Sequence, residues 1–334
     1  MKVLFCGKGL GLPPKEGIRN FTICLAECLS ELGVDVDILT DLTRSSFIVP
    51  GINYFNLNKV FNLSTFFKDY DIIHLHGTML QMSVCKLASA EPSIIANRYF
   101  PTRDRYSVFL VNKFVDKVIL ASRYLLKVYM CDIADTKLKY IPLACSENFR
   151  NLNMYRDIDV LFNSGLADGT GIYTLLSAAK RLSNIRFVFA LREIDEHTPH
   201  KEILINFLSK HNIRNVELLG IQNDIQNLYN RAKIFVQPTE DWNVKMLPPL
   251  SIFEASACGC ITLLSDVPWH VELADMLRSI YFKTGDVIDL LDKIIYILSD
   301  YYRIYNRQNN RKKISMRNIA KQYLYTYEEV LEHA

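Results

Sequence analysis

One pattern runs through this sequence twice: short apolar stretches alternate with segments of helical period, and turn residues separate them. In the first run, Lys2–Gly7 reads as a buried strand. A glycine-bearing loop, GKGLGLPPKEGIRN, follows, and then a helix over FTICLAECLSELG that stops at Gly33. VDVDILT is a second strand, with apolar residues at Val34, Val36 and Ile38. Strand, helix, strand in that order is a βαβ unit, the start of a parallel sheet. Further strands are expected at Asp71–His76, Pro92–Ala96, Asp116–Ala121 and Tyr140–Pro142.

The pattern restarts at Asp159. Strands are expected at DVLFNSG, IRFVFAL, NVELLG, KIFVQPT and CITLLSD, with helices at Ile172–Leu182, Glu202–Lys210, IQNLYNRA and Ser251–Cys258. The polar stretch Phe149 to Tyr155 is the expected linker, and the tail from Val287 reads as helical. The expected fold class is α/β: two Rossmann-like parallel-sheet domains, 1–150 and 151–315, facing across a cleft. A C-terminal helix, 316–334, is free to pack back on the first domain. A chain of 334 residues has room for two such domains.

Composition excludes other classes. Apolar residues make up 49% and the net charge is +3, too weak a field for a nucleic-acid binder. The eight cysteines follow no zinc spacing and lie in apolar stretches, which points to a reducing compartment and a cytoplasmic location. MKVLFCG runs straight into charged sequence, as a strand does and a signal peptide does not. No apolar run approaches 18 residues, so no membrane span is expected. Peripheral membrane contact stays open, with NLSTFFKD as a weak hint, since the same pattern fits a core-packed helix. RQNNRKK reads as a solvated face.

In parallel sheets ligands gather beyond the carboxyl ends of the strands. That rule draws attention to Gly7–Asn20, His74–Thr78, Asn97–Arg103 and the segment after Ile141. The first loop has neither the dinucleotide GxGxxG spacing nor a Walker ending, and Gly17 suits close backbone approach. His74 and His76 alternate on one strand and share a face. One is either an acceptor-side group, with His76 favoured, or a satisfied core imidazole. Trp242 is either a stacking platform or a core anchor, and His197 and His200 read as surface residues.

The densest signal is PTEDWNVKMLPPLSIFEASACGCITLLSDVP, a strand, a long loop, a helix of about two turns, a glycine turn and a strand. The helix N-terminus near Ser251 offers unpaired N–H groups and a positive dipole end to a phosphate. Ser251 and Glu254 have capping-box spacing, which the residues alone favour, while Glu254 is also able to accept sugar or ribose hydroxyls.

Taken together, these blocks resemble the GT-B glycosyltransferases of the family 4 type over residues 2 to 330. LSIFEASACGCITLLSDVP resembles the acidic signature segment. GIRNFTICLAECLSELGVDVDILT, DIIHLHG, DKVILAS, YIPLACSENF, NSGLADGTGIYTLLSAAKRL and GDVIDLLDKIIYILSD resemble further blocks in the same order. The resemblance implies a retaining, metal-independent transfer of a sugar from a UDP-, GDP- or ADP-sugar to an acceptor hydroxyl, with no separate cofactor. It implies that Glu254 holds the ribose hydroxyls, that the backbone at Phe253 and Glu254 faces the diphosphate, that Gly165 marks the turn beside it, and that Gly17 lies at the cleft.

The sequence also departs from that pattern. Met246 stands at the first acidic position, Leu166 and Thr170 stand at the two basic ones, and the N-terminal histidine is replaced within IIANRYF. Stabilising the leaving diphosphate needs donors or cations, and one lost donor costs about 3–4 kcal/mol. Candidate replacements are Arg19, Lys15, Arg98, Arg103, Arg192 and Lys245, with Arg19 and Arg98 best placed. Glu240 and Asp241 are candidates for the sugar-facing acid, or else turn caps. The catalytic set expected is therefore His76, Arg98, Glu240 and Asp241. The donor-binding set is Gly17, Arg19, Gly165, Thr170, Arg192, Lys245, Ser251, Phe253 and Glu254. The alternative is a GT-B-shaped binding or partner subunit with little catalysis.

Overall fold

The computed structural model describes residues 1–10, 17–41, 49–77, 91–100, 105–166, 169–191, 199–241, 246–309 and 314–333. They form two compact units. Unit 1 comprises Met1–Ser146, Met246–Leu250 and Ile314–Ala334, and unit 2 comprises Glu147–Lys245 and Ser251–Lys313.

Unit 1 is built on β1 (Lys2–Gly7), α1 (Gly17–Glu31), β2 (Asp35–Thr40), β3 (Asn53–Asn56), α2 (Leu63–Phe67), β4 (Ile72–His76), β5 (Ser93–Arg98), α3 (Arg105–Phe114), β6 (Lys117–Leu120), α4 (Arg123–Tyr129) and β7 (Leu138–Tyr140). The strand order is β3-β2-β1-β4-β5-β6-β7, and every pairing is parallel. The inner strands β1, β4 and β5 are almost wholly buried, which is why they read as unbroken apolar runs rather than alternations. Helix α1 buries Phe21, Thr22, Leu25, Ala26 and Leu29, a stripe of helical period. Sequence pattern missed β3, a half-exposed edge strand of sequence NYFN with no apolar period to betray it. It also missed α4, whose start is fixed by the Ser122 hydroxyl accepting from the Tyr124 and Leu125 N–H groups.

Unit 2 runs β8 (Ile158–Ser164), α5 (Ile172–Arg181), β9 (Phe187–Leu191), α6 (Pro199–Lys210), β10 (Val216–Leu219), α7 (Ile225–Arg231), β11 (Ala232–Gln237), α8 (Leu250–Ala257), β12 (Ile261–Ser265), α9 (Pro268–Val271), α10 (Ala274–Leu277), β13 (Ile280–Phe282), α11 (Val287–Ser299) and α12 (Tyr301–Asn309). Its order is β10-β9-β8-β11-β12-β13, again parallel throughout. Val160 and Phe162 of β8 and Ile234 and Val236 of β11 meet α5 and α11 residues such as Leu175, Ala179, Leu290 and Ile294 in one core. Asp224 and Asp286 cap α7 and α11 through their carboxylates.

The helical tail divides. Helices α11 and α12 stay with unit 2, whereas α13 (Met316–Glu332) packs on α1 in unit 1. Its Tyr327 hydroxyl lies 2.6 Å from His74 Nδ1, and its Tyr323 hydroxyl donates to Asn97 Oδ1 at 3.2 Å. Lys117 and Lys139 both donate to Glu329, at 2.8 and 2.5 Å. Met246–Leu250 likewise belongs to unit 1, where the Leu247 N–H donates to the Tyr99 carbonyl at 3.0 Å. A linear division near residue 150 could not foresee that insertion.

Candidate functional site

In each sheet the strand order reverses beside the first strand, between β1 and β4 in unit 1 and between β8 and β11 in unit 2. Crevices at such switch points are where open α/β sheets bind ligands. In unit 2 the carboxyl edge at this point is polar and buried. Ser164 ends β8, Gln237 ends β11, and Thr170 precedes α5. Ser164 Oγ, Thr170 Oγ1 and Gln237 Oε1 are enclosed and have no hydrogen-bond partner among the described residues. Gln237 is 0% exposed and Thr170 is 1% exposed. Buried polar atoms are ordinarily paired, so three together at a switch point mark a place suited to a polar ligand.

The loop after β11 is locked to the start of α5. The Glu240 and Asp241 N–H groups donate to the Gly169 carbonyl at 2.8 and 3.2 Å. Gly171 takes φ +75°, and a Cβ there would lie 1.7 Å from the Pro238 carbonyl oxygen. Only glycine fits. Glu240 accepts from the hydroxyl of Thr174, a half-buried residue in the first turn of α5, at 2.6 Å. Gly165 follows β8 directly and is half-buried.

Helix α8 carries Glu254, 5% exposed, and Phe253, 3% exposed. Its first residue is Leu250, so Ser251 lies inside the helix and does not cap it. Ser251 is half-buried, while the run Met246–Leu250 before it is buried. The capping-box reading gives way to a different partner: the Tyr229 hydroxyl donates to Glu254 Oε2 at 3.2 Å. Asn163 Nδ2 donates in turn to the Tyr229 oxygen at 2.8 Å. Burial and the neighbouring carboxylate push the Tyr229 phenol well above its ordinary pKa, so it stays a proton donor.

A cation holds α8 from behind. The Arg156 guanidinium donates to the carbonyls of Tyr229, Ala232 and Cys258 and lies 5.4 Å from the Tyr305 ring centre. Gly259 turns at φ +85° against this group, where a Cβ would come within 2.7 Å of Arg156 Nη2. Sequence reasoning missed Tyr229, Asn163, Gln237 and Arg156. Tyr229 sits at helical spacing among core residues, and nothing in a linear pattern tells a core tyrosine from one bonded to a carboxylate.

In unit 1, Gly17 opens α1 with Leu250 beside it, since a Cβ at Gly17 would lie 3.3 Å from Leu250 Cβ. Arg19 stands in the first turn of α1 with its guanidinium against Gly9, where an added Cβ would fall 2.5 Å from Arg19 Cζ. Arg98 ends β5, is 8% exposed, and lies 6.0 Å from the Tyr129 ring centre. His76, expected at an acceptor-facing strand tip, is 2% exposed. Its Nδ1 lies 2.9 Å from the Thr22 hydroxyl and 3.3 Å from that of Tyr99. Burial and the neighbouring His74 hold His76 well below the ordinary imidazole pKa, and burial lowers His74 to about 3. Arg192 and Lys245 of the expected donor set lie outside the described residues, as do Lys15, Arg103, His197 and Trp242.

Two successive all-parallel sheet units, each with a switch point beside its first strand, are the architecture of the GT-B glycosyltransferases. Solved structures agree at the level of the fold. Sucrose-phosphate synthase from Thermosynechococcus elongatus superposes with a TM-score of 0.76 at 17% identity over 100% of both chains. Anabaena HepE in complex with UDP-glucose superposes at 0.81 and 14% identity, over 98% of this chain and 100% of that one. The family model "Glycosyl transferases group 1" matches residues 147–317, and the chain belongs to that family. A curated relative is the N,N'-diacetylbacillosaminyl-diphospho-undecaprenol alpha-1,3-N-acetylgalactosaminyltransferase of Campylobacter jejuni. It is 31% identical over 123 residues, 35% of this chain and 32% of that enzyme. The match thus spans about a third of the relative's length. No helix among the described residues is long and apolar enough to cross a membrane.

Proposed function

We propose that this glycosyltransferase moves a sugar, with retention, from a nucleoside-diphosphate sugar to an acceptor hydroxyl and needs no metal ion. The observation that carries the reading is the buried Glu254 carboxylate on α8, in the unit whose switch point also holds the unpartnered Ser164, Thr170 and Gln237 atoms. Glu254 takes the ribose hydroxyls, and the Thr170 hydroxyl with N–H groups at the starts of α5 and α8 meets the diphosphate. Charge that builds on the leaving diphosphate is balanced by those donors. The leaving phosphate oxygen takes the acceptor proton, so no protein nucleophile is required. UDP is the first nucleotide to test, because HepE, similar in fold, is a UDP-glucose complex. A sugar hydroxyl on a lipid diphosphate is the first acceptor to test, after the name of the Campylobacter relative.

The test is calorimetry with UDP, GDP and ADP. One of the three binds, and Glu254→Ala weakens it roughly 10- to 100-fold, the worth of a hydrogen bond to a charged group. If none of the three binds, the reading fails. Transfer that survives EDTA supports the metal-free part, and transfer abolished by EDTA overturns it.

One observation favours a second reading. Leu166, where the resemblance puts a cation, is 8% exposed and belongs to the unit 2 core, and Met246, where it puts an acid, is also 8% exposed. Apolar packing at both positions suits a subunit that binds a nucleotide sugar without transferring it. Tight nucleotide binding with no turnover or donor hydrolysis would select that reading.

A further inference from the structure

We infer that Tyr229 is a positioning residue for the donor's ribose, acting by fixing the direction of the Glu254 carboxylate. The inference rests on Glu254 being the ribose ligand and adds to it the group that sets its preference for a ribose carrying both hydroxyls.

Three observations support it. First, the bonding around the phenol has a fixed direction. The Asn163 side-chain amide can only donate through Nδ2, so its 2.8 Å bond occupies a lone pair on the Tyr229 oxygen. The phenol proton is left to point at Glu254 Oε2, 3.2 Å away. Second, the ring cannot swing. Tyr229 is 0% exposed, edge-on to Phe235 at 5.7 Å between ring centres, and 6.1 Å from Phe149. Its backbone carbonyl is held by Arg156 Nη1 and receives the Cys260 Sγ–H at 2.9 Å. Third, a glutamate carboxylate turns easily about its last torsion, which has a broad two-fold profile. Tying Oε2 to a fixed donor narrows that freedom and holds the carboxylate plane in a constant direction. Two hydroxyls on adjacent ribose carbons need acceptor directions fixed in this way, and holding them before the ligand arrives lowers the ordering cost of binding.

The readout is the ratio of dissociation constants for the 2′,3′-dideoxy and ordinary forms of whichever of UDP, GDP and ADP binds, measured by calorimetry on the full chain. In the unaltered protein the dideoxy form binds roughly 10-fold or more weakly. Tyr229→Phe keeps the ring and removes the hydroxyl. The ratio then falls by about 3-fold or more, KM for the donor sugar rises, and kcat changes less than KM. A role in packing alone would lower the melting temperature and leave the ratio unchanged, so an unchanged ratio in Tyr229→Phe overturns the inference. Should that variant fail to fold, Asn163→Ala carries the test, with a smaller fall expected and an unchanged ratio again overturning it. If the unaltered protein does not distinguish the two nucleotides, or Glu254→Ala retains the preference, the ribose reading of Glu254 fails and takes this inference with it.

Discussion

At the scale of single residues, the unit 2 switch point depends on a glycine that no side chain can replace. Gly171 combines φ +75° with a carbonyl oxygen 1.7 Å from where its Cβ would be. Gly171→Ala must either move the Pro238–Asp241 loop off α5 or break the Gly169 bonds that hold it. The strain is at least about 2 kcal/mol, which for a unit of this size is a fall of roughly 4–8 °C in melting temperature. A differential-scanning measurement checks it, and a fall under about 1 °C would show that the loop relaxes freely. The glycine itself was visible in the sequence, inside NSGLADGTGIYTLLSAAKRL. Its reason was not, because the oxygen it must clear comes from a strand end 67 positions further on.

At the scale of elements, α8 has eight residues, too few to be stable alone, so something must anchor it. The sequence offered a capping box at Ser251 and Glu254. The structure puts the anchor at the other end. Arg156 gathers carbonyls from the ends of α7 and α8, where the negative ends of both helix dipoles favour a cation. Arg156→Met keeps most of the apolar stem and removes the charge. It should cost unit 2 about 2–4 kcal/mol in urea unfolding and weaken nucleotide binding with it, because Glu254 and Tyr229 ride on these helices. A loss below about 0.5 kcal/mol would mean that water replaces the guanidinium without consequence.

At the scale of the whole molecule, stability is tied to pH through the histidines beneath α13. His74 and His76 are neutral in the folded chain, with His74 lowered to about 3 from an ordinary 6.5 and His76 lowered in the same direction. Between those values the unfolded chain binds protons that the folded chain refuses. Stability is therefore full above about pH 6.5 and falls as pH drops toward 3, by about 2 kcal/mol at pH 5 from His74, with His76 acting in the same direction. Glu329 acts in a lower window. Lys117 and Lys139 hold its carboxyl at about 2, below its ordinary 4.5, so its contribution is intact above about pH 4.5 and is lost as pH falls toward 2. Urea titrations at pH 7.5 and 5 should thus differ by at least about 2 kcal/mol in the unaltered protein, and Glu329→Gln should leave that difference unchanged. Equal stabilities at the two pH values would show that the histidines are not held neutral.

The sequence by itself determined the two successive parallel sheets. A strand buried on both faces must be written as an apolar run, and a crossover helix must carry a stripe of period 3.6, so both leave a mark that neighbouring residues alone can carry. It also drew attention to Glu240 and Asp241, which follow an expected strand, and through the resemblance to Gly165, whereas the order of strands in the sheet came only with the structure. Only the tertiary structure decided what those positions touch. Glu254 meets Tyr229, Gly171 meets Pro238, Arg156 reaches three carbonyls, and His74 meets Tyr327 from the last helix, 253 positions away. These partnerships are separated by tens to hundreds of residues and follow no period. Hydrogen-bond direction and steric exclusion act over a few ångströms of space, and linear order does not record that distance.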